Sequence, residues 1–106
     1  MTSQLRLYTV RDGRLDAFLE AWLAGVPRLR RVHGFEIGGV WVSREASRFF
    51  WILSYPGDRN AFERANESYY ASPERQALEP DPAEELVAID QVFVEAVRLD
   101  ERDSLA

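Results

Sequence analysis

The chain carries one histidine, His33, and its imidazole is the side chain whose ordinary pKa lies nearest neutral pH. Facing a pocket, it would serve as a general base or a haem ligand. It also stands directly before Gly34, at the end of a helical pattern. There its charge favours the helix dipole, and this plainer account explains the position. Trp41, Trp51 and Tyr55 fall in two strand-like segments, and alternation puts Trp51 and Tyr55 on one face. They form either an aromatic wall for a flat ligand, with the tyrosine hydroxyl as its polar handle, or ordinary core and interface packing. Asn66 shares a helix face with Phe62 and Tyr69, with Tyr70 as neighbour. A buried amide among aromatics needs partners, in a ligand or in the protein itself. Glu95 alternates with Phe93, Val97 and Leu99, so a buried, unpaired carboxylate there would have a raised pKa and acid–base capacity. An inward charge guarding a strand edge is the preferred account. Arg28, Arg30 and Arg31 cluster at the end of the first helix, either as an anion site or, preferred, as a solvated helix end.

Composition removes many alternatives. Cysteine is absent, which excludes disulfides, thiol nucleophiles and cysteine-ligated metal centres. One histidine excludes a multi-histidine metal site within one chain. All 13 basic residues are arginine, so Schiff-base and phosphate-loop lysines are excluded too. The net charge of −5 opposes nucleic-acid binding, which needs a basic face. No apolar run approaches the roughly 20 residues of a membrane span, and the first residues show no signal pattern, so the expected address is the cytoplasm. Neither a phosphate loop nor a dinucleotide fingerprint nor a nucleophile elbow is present, and no cofactor is expected.

These residues must be positioned by one domain of 106 residues, with 46% apolar and 29% charged side chains. Leu5 to Val10 reads as a strand with Leu5 and Leu7 on one face and Arg6, Tyr8 and Val10 on the other. Leu15, Phe18, Leu19, Trp22, Leu23, Val26, Leu29 and Val32 recur at helical spacing, with Asp12 or Gly13 as cap and a kink expected at Pro27. Phe35 to Ser43 reads as a second strand with a bulge at Gly38-Gly39, and Phe49 to Leu53 as a third. Asp58 caps a helix over about Arg59 to Ala71. Ser72-Pro73 starts a short helix to Leu78, and Asp81-Pro82 another to about Ile89 with Glu84 closing a capping box. Val92 to Leu99 reads as the last strand, and the polar tail Asp100 to Ala106 as loosely ordered. The order predicts an α+β, ferredoxin-like βαββαβ sandwich with a four-stranded antiparallel sheet.

The third strand does not alternate: Phe49-Phe50-Trp51-Ile52-Leu53 implies burial on both faces. Two helices cover one face, and nothing in this chain covers the other. Large exposed apolar patches are rare on monomers, so a homodimer through the sheet face is expected.

The segments Leu7-Tyr8-Thr9-Val10 with Gly13, Phe18-Leu19 with Trp22, His33-Gly34-Phe35, and Gly39 with Trp41 resemble the NIPSNAP family of the dimeric α/β-barrel superfamily. Tyr69-Tyr70-Ala71-Ser72-Pro73-Glu74-Arg75 is similar to a branch of small bacterial proteins in that family. The resemblance spans about Leu5 to Leu99. It implies two ferredoxin-like subunits joining their sheets into a barrel, with a ligand between sheet and helices. The superfamily includes cofactor-independent monooxygenases of polyketide-like aromatics, haem-degrading enzymes, haem peroxidases and small isomerases, and this chain matches none of their catalytic sets. The expected function is therefore binding of a small aromatic or polyketide-like molecule, with Trp51, Tyr55, Asn66, Tyr69, Tyr70 and His33 as candidate contacts. The alternatives are a structural self-association module, a cofactor-free monooxygenase, or a haem protein using His33. Fold analogy by itself assigns no reaction.

Overall fold

Alternation along the first strand decides which side of the sheet the helices cover. In the computed structural model, which describes residues 1–99, β1 (Thr2–Val10) buries Gln4, Arg6, Tyr8 and Val10 on the helix-covered side. Leu5 and Leu7, the purely apolar face, point to the opposite side and are only half-buried. The inner face of this strand is thus the mixed one.

The chain continues as α1 (Leu15–Val32), β2 (Glu36–Ser43), β3 (Arg48–Tyr55), α2 (Arg59–Ala71), the short α3 (Pro73–Gln76), a single 3₁₀ turn at Pro82–Glu85, and β4 (Leu86–Val94). The sheet order is β2-β3-β1-β4 and every neighbouring pair is antiparallel. This is the expected ferredoxin-like α+β sandwich. Its core joins Phe18, Trp22, Val26 and Leu29 of α1 to Tyr8, Phe49, Trp51 and Leu53 of the sheet and Phe62 and Tyr69 of α2.

α1 runs unbroken through Pro27. Its buried side is an i, i+4 row of Phe18, Trp22, Val26 and Arg30, whereas Leu23 and Val32 face solvent despite fitting the apolar spacing. Its cap residue is Arg14, which makes no side-chain cap bond, so neither Asp12 nor Gly13 plays that part. Asp58 does cap α2, accepting from the Ala61 N–H at 2.9 Å. Ser72 caps α3, accepting from the Arg75 N–H at 3.2 Å, with Pro73 at the first helical position. The register shift between Ile37 and Gly39 places the bulge at Gly38-Gly39. A Cβ on Gly39 would stand 2.5 Å from the Trp41 indole, so the glycine admits that ring.

The last strand differs from the sequence reading. The segment after Asp81 makes one 3₁₀ turn, in which Asp81 accepts from the Ala83 N–H, and β4 begins at Leu86 instead of Val92. The reason lies in β1, whose outer backbone edge needs a partner along its whole length. Leu86-Val87-Ala88-Ile89 supplies it, pairing with Val10, Thr9 and Tyr8. Glu95 consequently lies beyond the strand, exposed, and is not a buried acid or base. Arg98 is likewise outside β4. The tail from Asp100 lies outside the described residues.

The uncovered face of the sheet has an apolar centre, with Asp90 beside Leu7 and Arg48 over Phe50. Pairing sets Leu5 beside Ile52 and Val92, and Leu7 and Trp41 beside Phe50. Trp41 is 55% exposed, and Phe50 and Ile52 are half-buried. Within one chain, β3 is therefore buried fully on the inner face alone.

Candidate functional site

Between α1, the sheet and the α2–α3 corner lies a cavity of about 170 Å³. Phe18, Trp22, Tyr8 and Trp51 form its apolar walls, and Tyr69, Tyr70, Arg30 and Arg75 its polar side. The 3₁₀ turn and the start of β4 flank it at Ala83 and Ile89, which are exposed. The elements that position these groups follow from periodicity. The four-residue step of α1 carries the row from Phe18 to Arg30. The two-residue step of β1 sets Arg6 beside Tyr8, and cross-strand pairing sets Arg6 opposite Trp51.

Two guanidiniums are buried here. Arg30 is 1% exposed and Arg6 is 3% exposed. Arg6 donates from Nε to Tyr8 Oη at 2.9 Å, from Nη1 to Gln4 Oε1 at 2.6 Å, and from Nη2 to Tyr70 Oη at 3.1 Å. Arg30 donates from Nη1 to Asn66 Oδ1 at 2.8 Å and from Nη2 to the same Tyr70 oxygen at 3.2 Å. The Arg30 guanidinium carbon stands 3.8 Å from the Tyr69 ring centroid and 4.8 Å from that of Phe35, so cation–π contacts hold it from two sides.

Burial lowers the Arg30 pKa, and the Arg6 charge adds to this, while Tyr70 and Tyr69 oppose it. At Arg6 burial also disfavours the charge, but Tyr8 and Tyr70, once ionised in strong base, together with the hydrogen bond to Tyr8, outweigh it and its pKa lies above the ordinary value. Burial pushes the phenols of Tyr8 and Tyr69 up. An arginine guanidinium is not deprotonated in proteins, and burial raises the pKa of both phenols, so the layer is rich in donors. Arg30 Nε, Tyr69 Oη and Trp22 Nε1 are buried without a hydrogen-bond partner in the structure.

Of the residues singled out from sequence, Trp51, Tyr69 and Tyr70 meet at this cavity. Asn66 stands behind it, accepting from Arg30 and lining a separate surface cleft with Gln4, Phe62 and Phe93. Tyr55 shares the face of Trp51 but sits at the end of β3, its ring 4.9 Å from Phe35 and away from the cavity. His33 ends α1: its backbone N–H reaches the Leu29 carbonyl, and its ring meets the edge of Tyr69 at 5.5 Å. It does not line the cavity, so the haem reading that required it there is unsupported. Arg6 was missed, and Arg30 was named as part of a basic cluster for which a solvated helix end was preferred over an anion site. Arg30 is a core residue and not part of a solvated helix end. The signal was present, because Arg30 stands four residues after Val26 in the row that holds Phe18 and Trp22. Among the described residues, no group of three or more acidic or histidine side chains is placed to hold a metal. No described helix is long and apolar enough to cross a membrane.

No protein-family model matches this chain, and no curated protein does. Solved structures do match. An uncharacterised NIPSNAP domain protein from Burkholderia xenovorans superposes with a TM-score of 0.79 at 19% identity, covering 92% of this chain and 95% of that one. A NIPSNAP family protein of unknown function from Agrobacterium tumefaciens gives 0.82 at 14% identity, with 95% and 92% covered. An antibiotic biosynthesis monooxygenase gives 0.67 at 16% identity, with 92% and 100% covered. The chain therefore has, over nearly its whole length, the ferredoxin-like fold of the NIPSNAP proteins that its sequence resembles.

Proposed function

We propose that this protein binds a small aromatic molecule in the cavity between sheet and helices, and that it works as a homodimer through the open sheet face. The observation that carries the reading is the cavity itself: aromatic walls, a donor-rich side, and about 170 Å³ of space in an otherwise close-packed core. An apolar protein cavity of about 150 Å³ holds benzene, so the present one suits a single ring. A multi-ring, polyketide-like ligand would need the walls at Ala83 and Ile89 to move apart. The apolar face of Leu5, Leu7, Trp41, Phe50, Ile52 and Val92 supports self-association, because a second copy of the same face is chemically complementary to it.

A purely structural module would have a filled interior, which the cavity argues against. Oxidation without a cofactor is the enzymatic alternative, and an antibiotic biosynthesis monooxygenase shares the fold. Among the described residues the cavity lining has no carboxylate or imidazole to take a proton, and binding is favoured over catalysis. Native mass spectrometry of the purified protein tests the proposal. A dimer whose subunits each take up one single-ring aromatic on titration is expected. A monomer overturns the assembly, and a dimer inert to every aromatic offered overturns the pocket.

A further inference from the structure

The charge balance of the cavity says more about its occupant. Arg6 and Arg30 are both almost wholly buried, and their partners are Gln4, Asn66, Tyr8 and Tyr70, all neutral side chains. The ion pairs among the described residues use Arg14, Arg44, Arg59 and Arg75 instead. Burying one uncompensated guanidinium is costly, and burying two that converge on a single hydroxyl is more so. Tyr70 Oη accepts from both arginines, which occupies its lone pairs and directs its own O–H elsewhere. Arg30 Nε and Tyr69 Oη, on residues that line the cavity, are buried without partners. A neutral aromatic would leave these groups and both charges unanswered.

From this we infer that the ligand is an anion: a single-ring aromatic acid whose carboxylate or ionised phenol oxygen takes the free donors of Arg30, Tyr69 and Tyr70. The inference rests on the pocket proposed above and adds the sign of its ligand. The ring lies among Phe18, Trp22 and Trp51, and the oxygen lies on the arginine side. Arg75 also borders the cavity but is paired with Asp81 at 3.0 Å, so Arg30 carries the recognition.

The test is calorimetric titration of the purified protein with benzoate and with benzyl alcohol, which matches its size without the charge. Benzoate is expected to bind at least about ten-fold more tightly. Arg30→Met is expected to abolish that preference. Tyr70→Phe, at a partly exposed site where folding is safe, is expected to weaken benzoate about three-fold or more and to spare benzyl alcohol. Equal affinity of the two compounds, or a preference unchanged in both variants, overturns the inference while the pocket stands. Binding of neither overturns the pocket and the inference together.

Discussion

Arg6 of the sheet and Arg30 of α1 donate to the same Tyr70 oxygen, at 3.1 and 3.2 Å, and among the described residues neither has a carboxylate partner. One phenol thus ties the central strand, the first helix and the second helix together. Two like charges meet there, held by neutral acceptors and aromatic faces. The arrangement explains why the inner face of β1 is mixed: its polar residues build this layer, and the apolar Leu5 and Leu7 are left for the opposite face.

Removing the Tyr70 hydroxyl takes an acceptor from both arginines at once. Tyr70→Phe is expected to lower folding stability by about 1–2 kcal/mol, held down by water reaching the partly exposed site. Urea denaturation followed by tryptophan fluorescence measures it. An unchanged midpoint would mean that the shared oxygen does not hold the two side chains in solution.

Two substitutions at Arg30 separate charge from volume. Arg30→Met keeps an apolar stem of similar reach and removes a buried charge, so stability should stay within about 1 kcal/mol of the parent or exceed it. Arg30→Ala also empties space in the core, and a loss of about 2–4 kcal/mol is expected. Equal destabilisation by both would show that the charged head itself holds the fold.

The open sheet face should respond to a single charge. Trp41→Glu places a carboxylate on the proposed dimer face, beside Phe50, at a site 55% exposed in the single chain. The fold should survive, while the dimer dissociation constant rises at least about a hundred-fold. Light scattering across a dilution series reads both states. A variant that remains dimeric at the parent's concentration would place the interface elsewhere.

Acid sensitivity is expected at the joint between α1 and the turn before β4. Glu85 accepts from Arg14 Nε at 2.8 Å and Nη2 at 2.9 Å. That hydrogen bonding holds its carboxyl below the ordinary value of 4.5. The folded chain then binds this proton less readily than the unfolded chain does, so the pair's contribution is complete above pH 4.5 and fades as the pH falls through the lower folded value. The parent should therefore melt above Glu85→Gln near neutral pH, with the gap closing in acid. Melting curves from pH 7 to about pH 3 decide it, and a gap constant with pH would refute the assignment.

Periodicity and turn chemistry were legible without coordinates. The two-residue and four-residue steps, Asp58, Ser72-Pro73 and Gly38-Gly39 report on their own neighbours in the chain, and they led to the right order of elements. The inward positions of Trp51 and Tyr69 were legible for the same reason, whereas Tyr70 stood out only as the neighbour of Tyr69. The start of β4 was not, because the cap pattern Asp81-Pro82-Ala83-Glu84 announces a helix without saying that it ends after one turn, and the open backbone edge of β1 draws Leu86 to Ile89, with the β-branched Val87 and Ile89, into the sheet. Leu23 and Val32 likewise keep the apolar spacing of α1, yet none of the described residues covers their side of the helix.

By itself the sequence determined the αβ architecture, the absence of thiol, lysine and multi-histidine chemistry, and an aromatic inner layer, since each depends on residue type and spacing alone. The site was decided by tertiary structure. Arg6 and Arg30 are 24 positions apart, and nothing in the spacing of either one joins it to the other. They become a buried cationic pair only when α1 crosses β1 and α2 brings Tyr70 over both. Whether a charge is solvated or desolvated depends on what covers it, and that is set by residues distant in the chain.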